Sequence, residues 1–207
     1  MKISVRSDSV EIEGYVNAVE RNSKPLMSRI GQFIERICSG AFAKALERND
    51  DVHLLLNHDW ERDLGSTKEG NLELTEDSIG LKARAIVTDS EVVEKARNGD
   101  LVGWSFGFQD REVEQSIEQG LPMRAVKDLD LFEVSILDRS KIPAYDGTLI
   151  AARAETNEVQ YRGEALIGDV EITEERAEEQ PQQEEEPVEI DYSKWEKLIA
   201  EMKEDKR

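Results

Sequence analysis

The stretch Val102-Gly103-Trp104-Ser105-Phe106-Gly107-Phe108 decides how this chain is read. As a strand it sends Val102, Trp104, Phe106 and Phe108 to one face and Gly103, Ser105 and Gly107 to the other, because side chains alternate with a period of two. The first face is large and apolar enough to anchor in a core. The second is bare around a single hydroxyl and leaves room for a peptide to lie across it. The chain holds two histidines, His53 and His58, the latter within Leu54-Leu55-Leu56-Asn57-His58-Asp59. A serine in a cleared site and a scarce histidine are the minimum for acyl transfer.

A structural reading of Ser105 stands beside the catalytic one, since glycines in a strand also mark bulges or close backbone approach. The motif is not a nucleophile elbow, which needs a strand, a tight turn and then a helix. Here the strand runs on through Gln109 to Val113. His58 likewise suits either a base or a solvated turn residue. His53 falls on the opposite strand face and reads as structural or exposed, and no third ligand has the spacing for a metal.

Outward from this strand, residues 2–20 read as one or two strands, with Val10, Ile12, Gly14, Val16 and Ala18 alternating against polar neighbours. Arg21 to Gly31 reads as a loop. Ser39 is a plausible N-cap for a helix carrying Phe42, Ala45 and Leu46. Val52 to Asn57 is a strand, and Asn71–Thr75 with Gly80–Val87 form a hairpin across Glu76-Asp77-Ser78. Asp89-Ser90-Glu91 opens a second helix that stops at Gly99. Leu121–Val126 and Leu129–Leu137 are two further strands. About seven strands and two helices predict a mainly β fold with peripheral helices, a small closed or nearly closed barrel.

The last of these strands holds a second anomaly. Asp130-Leu131-Phe132-Glu133-Val134-Ser135-Ile136-Leu137 is nearly continuous hydrophobe around Glu133, as a buried strand would be. A buried carboxylate needs a partner. An imidazole would serve, and a carboxylate accepting its Nδ1 proton would fix the tautomer. An arginine such as Arg84, or solvent on a one-sided sheet, would serve equally.

Composition divides the chain. Residues 155–190 carry 13 acidic and two basic side chains, −11 of the formal −19. Glu174 to Glu189 cannot bury enough surface to order itself. Tyr192, Trp195, Leu198, Ile199 and Met202 then make one stripe of an amphipathic helix, suited to its own core, a second copy or another protein. No stretch approaches the ~20 apolar residues that span a bilayer, and the N-terminus has no apolar signal core. Cys38 is the single cysteine, so no intrachain disulfide is expected and a reducing compartment fits. The acidity and the lack of a Lys/Arg cluster argue against duplex DNA as a ligand.

Five blocks stand in a telling order: Gly14-Tyr15-Val16 with Ser39-Gly40-Ala41-Phe42; Leu54 through Asp59 to Leu64-Gly65; Gly80-Leu81-Lys82-Ala83-Arg84; Gly103 to Phe108; and Asp130 to Ser135 followed by Pro143-Ala144-Tyr145. Together, over residues 10–151, they resemble the prohead serine proteases of tailed bacteriophages, which are distantly similar to the herpesvirus assemblins. The resemblance implies a β-barrel serine endopeptidase with His58 as general base, Ser105 as nucleophile and Glu133 as orienting acid, and no cofactor. Asp59 and Asp63 compete with Glu133 for the third role. The implied substrates are scaffolding protein, the N-terminal segment of the major capsid protein and the protease itself, cut inside the prohead in the host cytoplasm. On this reading residues 1–154 are the protease domain, 155–190 an acidic linker, and 191–207 a helix for incorporation, self-association or self-inhibition. A non-catalytic assembly factor on the same fold is the main alternative, and a small-substrate esterase a second.

Overall fold

Residues 1–28, 31–141, 160–164 and 171–174 are described by the computed structural model. The chain forms β1 (Lys2–Val5), β2 (Val10–Ala18), β3 (Leu26–Ser28), β4 (Gly31–Ile37), α1 (Ala41–Arg48), β5 (His53–Leu56) and β6 (Asp59–Ser66). It continues through β7 (Leu72–Glu76), β8 (Gly80–Val87), α2 (Ser90–Arg97), β9 (Leu101–Glu118) and β10 (Leu121–Asp138), and then β11 (Gln160–Glu164) and β12 (Glu171–Glu174). The fold is mainly β with two helices, as expected. One ladder runs β12-β1-β2-β8-β7; the other runs β11-β9-β10-β4-β3, with β5 on β10 and β6 on β5. Among the described residues neither ladder path closes on itself.

The strand count exceeds the expected seven for physical reasons. The presumed loop Arg21–Gly31 contains β3, which pairs with β4. β6 is rich in charge and carries no alternation, yet it zips antiparallel onto β5. Conversely, Leu121–Val126 and Leu129–Leu137 are one strand, β10, bent by register shifts around Asp128 instead of being broken there. Within the acidic region 155–190, β11 and β12 pair with β9 and β1. Pro143-Ala144-Tyr145, the acidic run after Glu174 and the helix expected over 191–207 lie outside the described residues.

β10 organises the site. One of its edges carries β9 along its length, antiparallel. The other carries β4 at Met123–Val126 and β5 at Glu133–Ile136, both parallel. α1 connects these two strands. The bulges between them expose carbonyls that need donors, and the end of α1 supplies them. Arg48 Nη2 donates to Leu129 O at 2.6 Å and to Asp128 Oδ1 at 2.6 Å, while Asn49 Nδ2 donates to Leu131 O at 2.9 Å.

Phe42 of α1 meets Phe106 of β9 edge to face at 5.3 Å, and Phe106 stacks on Phe108. Together with Trp104, Leu131, Val134 and Ile136 they lie in a core that also takes Val92, Val93 and Ala96 from α2. The helix starts differ in origin. Asp89 caps α2 by accepting from Val92 N at 3.0 Å. Ser39 does not cap α1: Gly40 holds that position, and the Glu76 carboxylate accepts from Gly40 N and Ala43 N at 2.6 and 2.7 Å. An acidic group from β7 thus replaces the local cap and complements the helix dipole.

Arg48→Ala removes the side-chain donor to the β10 bulge carbonyl of Leu129 and the cationic partner of Asp128. It is expected to lower unfolding free energy in denaturant titration by about 1–3 kcal/mol. Glu47→Ala on the exposed side of α1 should stay within about 0.5 kcal/mol.

Candidate active site

The β5–β6 hairpin turns through two residues, Asn57 and His58, both with positive φ (59° and 62°). That geometry is the two-residue turn whose twist matches a hairpin, and it favours Asn then Gly. Histidine at the second position is uncommon and strained. The surroundings hold it there. Asn57 N donates to Ile136 O at 2.9 Å, Asp138 N donates to Asn57 Oδ1 at 3.1 Å, and His58 N donates to Ser135 Oγ at 3.0 Å. The turn is bolted to the end of β10, and the imidazole is aimed back across the sheet.

There it meets Glu133. His58 Nδ1 lies 2.8 Å from Glu133 Oε1, with the carboxylate fully buried and the imidazole side chain 22% exposed. Ser135 Oγ donates to Glu133 Oε2 at 2.5 Å. Each carboxylate oxygen thus accepts one hydrogen bond; Ser135 Oγ, which also lies 3.2 Å from Nδ1, donates to Oε2, and this arrangement suits the Nδ1–H tautomer, whose Nε2 carries the lone pair. Gly107 stands opposite Glu133 in the β9–β10 ladder. A Cβ there would lie 2.5 Å from Glu133 Oε1 and 3.0 Å from the Tyr161 ring, so the glycine makes space for the carboxylate.

Ser105 stands opposite Ser135 in the same ladder, which puts their Cβ atoms about 5 Å apart on one face. His58, Glu133 and Ser105 thus share a face, the first two in direct hydrogen bond. The face is not open, contrary to expectation. Ser105 is fully buried, and its hydroxyl proton goes to Arg162 O of β11 at 2.6 Å. The Tyr161 ring packs on the imidazole with centroids 4.6 Å apart.

The competing carboxylates go elsewhere. Asp63 binds His53 Nδ1 at 2.7 Å, and Asp59 accepts from Glu61 N at 2.9 Å. Arg84, the other partner considered for Glu133, pairs with Glu11 and Glu73. Sequence reasoning gave no role to Ser135, Tyr161 or Arg162. Ser135 had a faint signal, a hydroxyl two residues from Glu133 on the same strand face. Among the described residues no cluster of three His, Cys, Asp or Glu side chains suits a metal ion.

Asp138 closes β10 beside the turn. Burial pushes its carboxyl up, but hydrogen bonds from Ser140, Lys95 and Asn57 outweigh this and hold it at about 2, below the ordinary 3.8. Lys95 Nζ of α2 is 2.9 Å away.

The family model of the caudovirus prohead serine proteases matches residues 1–161. The chain belongs to that family. No curated protein and no solved structure matches it significantly. The matched span of this prohead serine protease family member contains His58, Ser105 and Glu133 and ends inside β11.

Two outcomes follow from the packing of this family member. Gly107→Ala should cost about 1–3 kcal/mol of stability, and combining it with Glu133→Ala should cost less than the two single changes summed, because the closest clash, at 2.5 Å, is with the Glu133 carboxylate. A depressed carboxyl stabilises the fold above its unfolded-state value and loses that contribution as it is protonated. The melting temperature should therefore fall as pH drops from roughly 4 towards 2, and Asp138→Asn should flatten that part of the curve.

Proposed function

We propose that this family member is the prohead maturation endopeptidase itself, with Ser105 as nucleophile, His58 as general base and Glu133 as the acid that orients it. The observation that carries this reading is the buried Glu133 carboxylate hydrogen-bonded to His58 Nδ1 at 2.8 Å, on the strand that also sets Ser135 opposite Ser105. A buried carboxylate in that position stabilises the imidazolium formed when His58 takes the serine proton. Ser105 would release Arg162 O, pass its proton to Nε2 and attack the scissile carbonyl. The acyl-enzyme would then be hydrolysed by water through the same base. Ser135 acts as a positioning residue, holding the His58 backbone and the far carboxylate oxygen together.

The substrates on this reading are the proteins of the prohead: scaffolding protein, the N-terminal segment of the major capsid protein and the chain itself. On this reading the acidic sequence after Glu174 and the apolar stripe Tyr192, Trp195, Leu198, Ile199 and Met202 serve incorporation or self-association. One observation favours a rival. Ser105 is fully buried, which suits a non-catalytic assembly factor that kept the fold.

Co-expression with the cognate capsid protein separates the two. The native chain should shorten the capsid protein, and Ser105→Ala or His58→Ala should abolish cleavage. Glu133→Gln should slow it by roughly 10³–10⁴-fold, and Ser135→Ala by roughly 10–100-fold, since it removes the bonds to both the carboxylate and the His58 backbone. Identical capsid products from the native chain and Ser105→Ala would favour the assembly factor.

A further inference from the structure

The free edge of β9 beside the candidate nucleophile is covered by five residues. Gly163 pairs with Ser105, Arg162 with Phe106 and Tyr161 with Gly107, antiparallel. Strand addition of this kind is a general way to bind an extended peptide: the backbone gives affinity and alternate side chains give selectivity. The side chains of Gln160, Tyr161 and Arg162 each meet a matching feature. Tyr161 enters the space left by Gly107 and lies on His58. Arg162 turns to the other face, where its Nε and Nη2 fork onto Glu35 Oε1 and Oε2 at 2.6 and 3.0 Å. Its guanidinium also lies 5.5 Å from the Phe108 ring centre. Gln160 Nε2 donates to Asp110 at 2.7 Å. The position facing Ser105 is a glycine.

Glu35 has no part in the acyl-transfer chemistry, yet it is only 4% exposed. A planar fork onto a buried carboxylate is strong and selective for arginine. Arg124 Nη1 also stands 3.4 Å from Glu35. When Arg162 leaves, Glu35 keeps a counter-ion, so exchange of one basic side chain for another does not strand a buried charge. The family match ends at residue 161, so the anchor Arg162 lies beyond the shared region.

We infer that the β9 edge is the peptide-binding edge and that residues 160–164 occupy it as an internal pseudo-substrate. The bound class is an extended peptide with an aromatic residue, then a basic residue read by Glu35, then a small residue over Ser105. This rests on the proteolytic reading above. In the closed state the Ser105 hydroxyl donates its hydrogen bond to Arg162 O and so does not donate to His58.

The test uses the full chain and two readouts. The first is the rate of Ser105 phosphonylation by a fluorophosphonate, followed by intact mass with Ser105→Ala as the blank. The second is deuterium uptake of residues 103–109. Arg162→Glu places a negative charge against Glu35 and should raise both, the labelling rate by at least about tenfold. A synthetic peptide of residues 157–166 should restore slow labelling and low uptake to the Arg162→Glu chain. The same peptide with glutamate in place of Arg162 should not. Unchanged labelling and uptake in Arg162→Glu, or equal action of the two peptides, overturns the inference. If the serine is never labelled but uptake rises and the native peptide reverses it, the pseudo-substrate strand stands and the proteolytic reading fails.

Discussion

The site depends on one buried negative charge. Glu133 lies in the apolar middle of β10, where an isolated carboxylate would cost several kcal/mol. His58 and Ser135 offset that cost with one hydrogen bond to each oxygen. Much of the local architecture follows from this requirement. Gly107 must lack a side chain to admit the carboxylate. The β5–β6 turn must hold a histidine at positive φ to reach it. Ser135 must donate to it while accepting from the His58 backbone. Strain in the turn and burial of the charge support each other, as is common where a structure stores cost at a functional position.

The long β10 makes the arrangement possible. Because β9 covers one edge throughout, and β4 and β5 share the other, residues distant in sequence meet in register on one face. The price is a bent strand with unpaired carbonyls, which the end of α1 satisfies. At the far end of β10, Asp138 ties α2 to the turn through Lys95 and Asn57. His58 is thus held on a rigid ladder braced by both helices, as the proposed role of a base requires.

The legible parts of the sequence were those governed by local pattern. The two-residue alternation of β9, the β7–β8 hairpin and the Asp89 cap of α2 all declare themselves within a few residues. His58, Ser105 and Glu133 stood out because each is chemically odd in its surroundings. What escaped reading depends on pairing with distant strands. β6 is a strand because β5 lies beside it, not because Asp59-Trp60-Glu61-Arg62 favours one. Ser39 lost the cap of α1 to Glu76, a residue 36 positions away from Gly40. Ser135, Tyr161 and Arg162 gain meaning only from register, and the cleared face around Ser105 was covered by a segment that composition alone marked as acidic linker.

The central claim is that Glu133 fixes His58 as the Nδ1–H tautomer. Long-range proton–nitrogen correlation spectra of histidine-labelled protein test it directly, since His53→Gln assigns the two rings. The account predicts that the neutral form of the His58 ring carries its proton on Nδ1 with Nε2 bare, and that this preference is lost in Glu133→Gln. A neutral His58 ring with its proton on Nε2 and Nδ1 bare, or the same tautomer with and without the carboxylate, would contradict it.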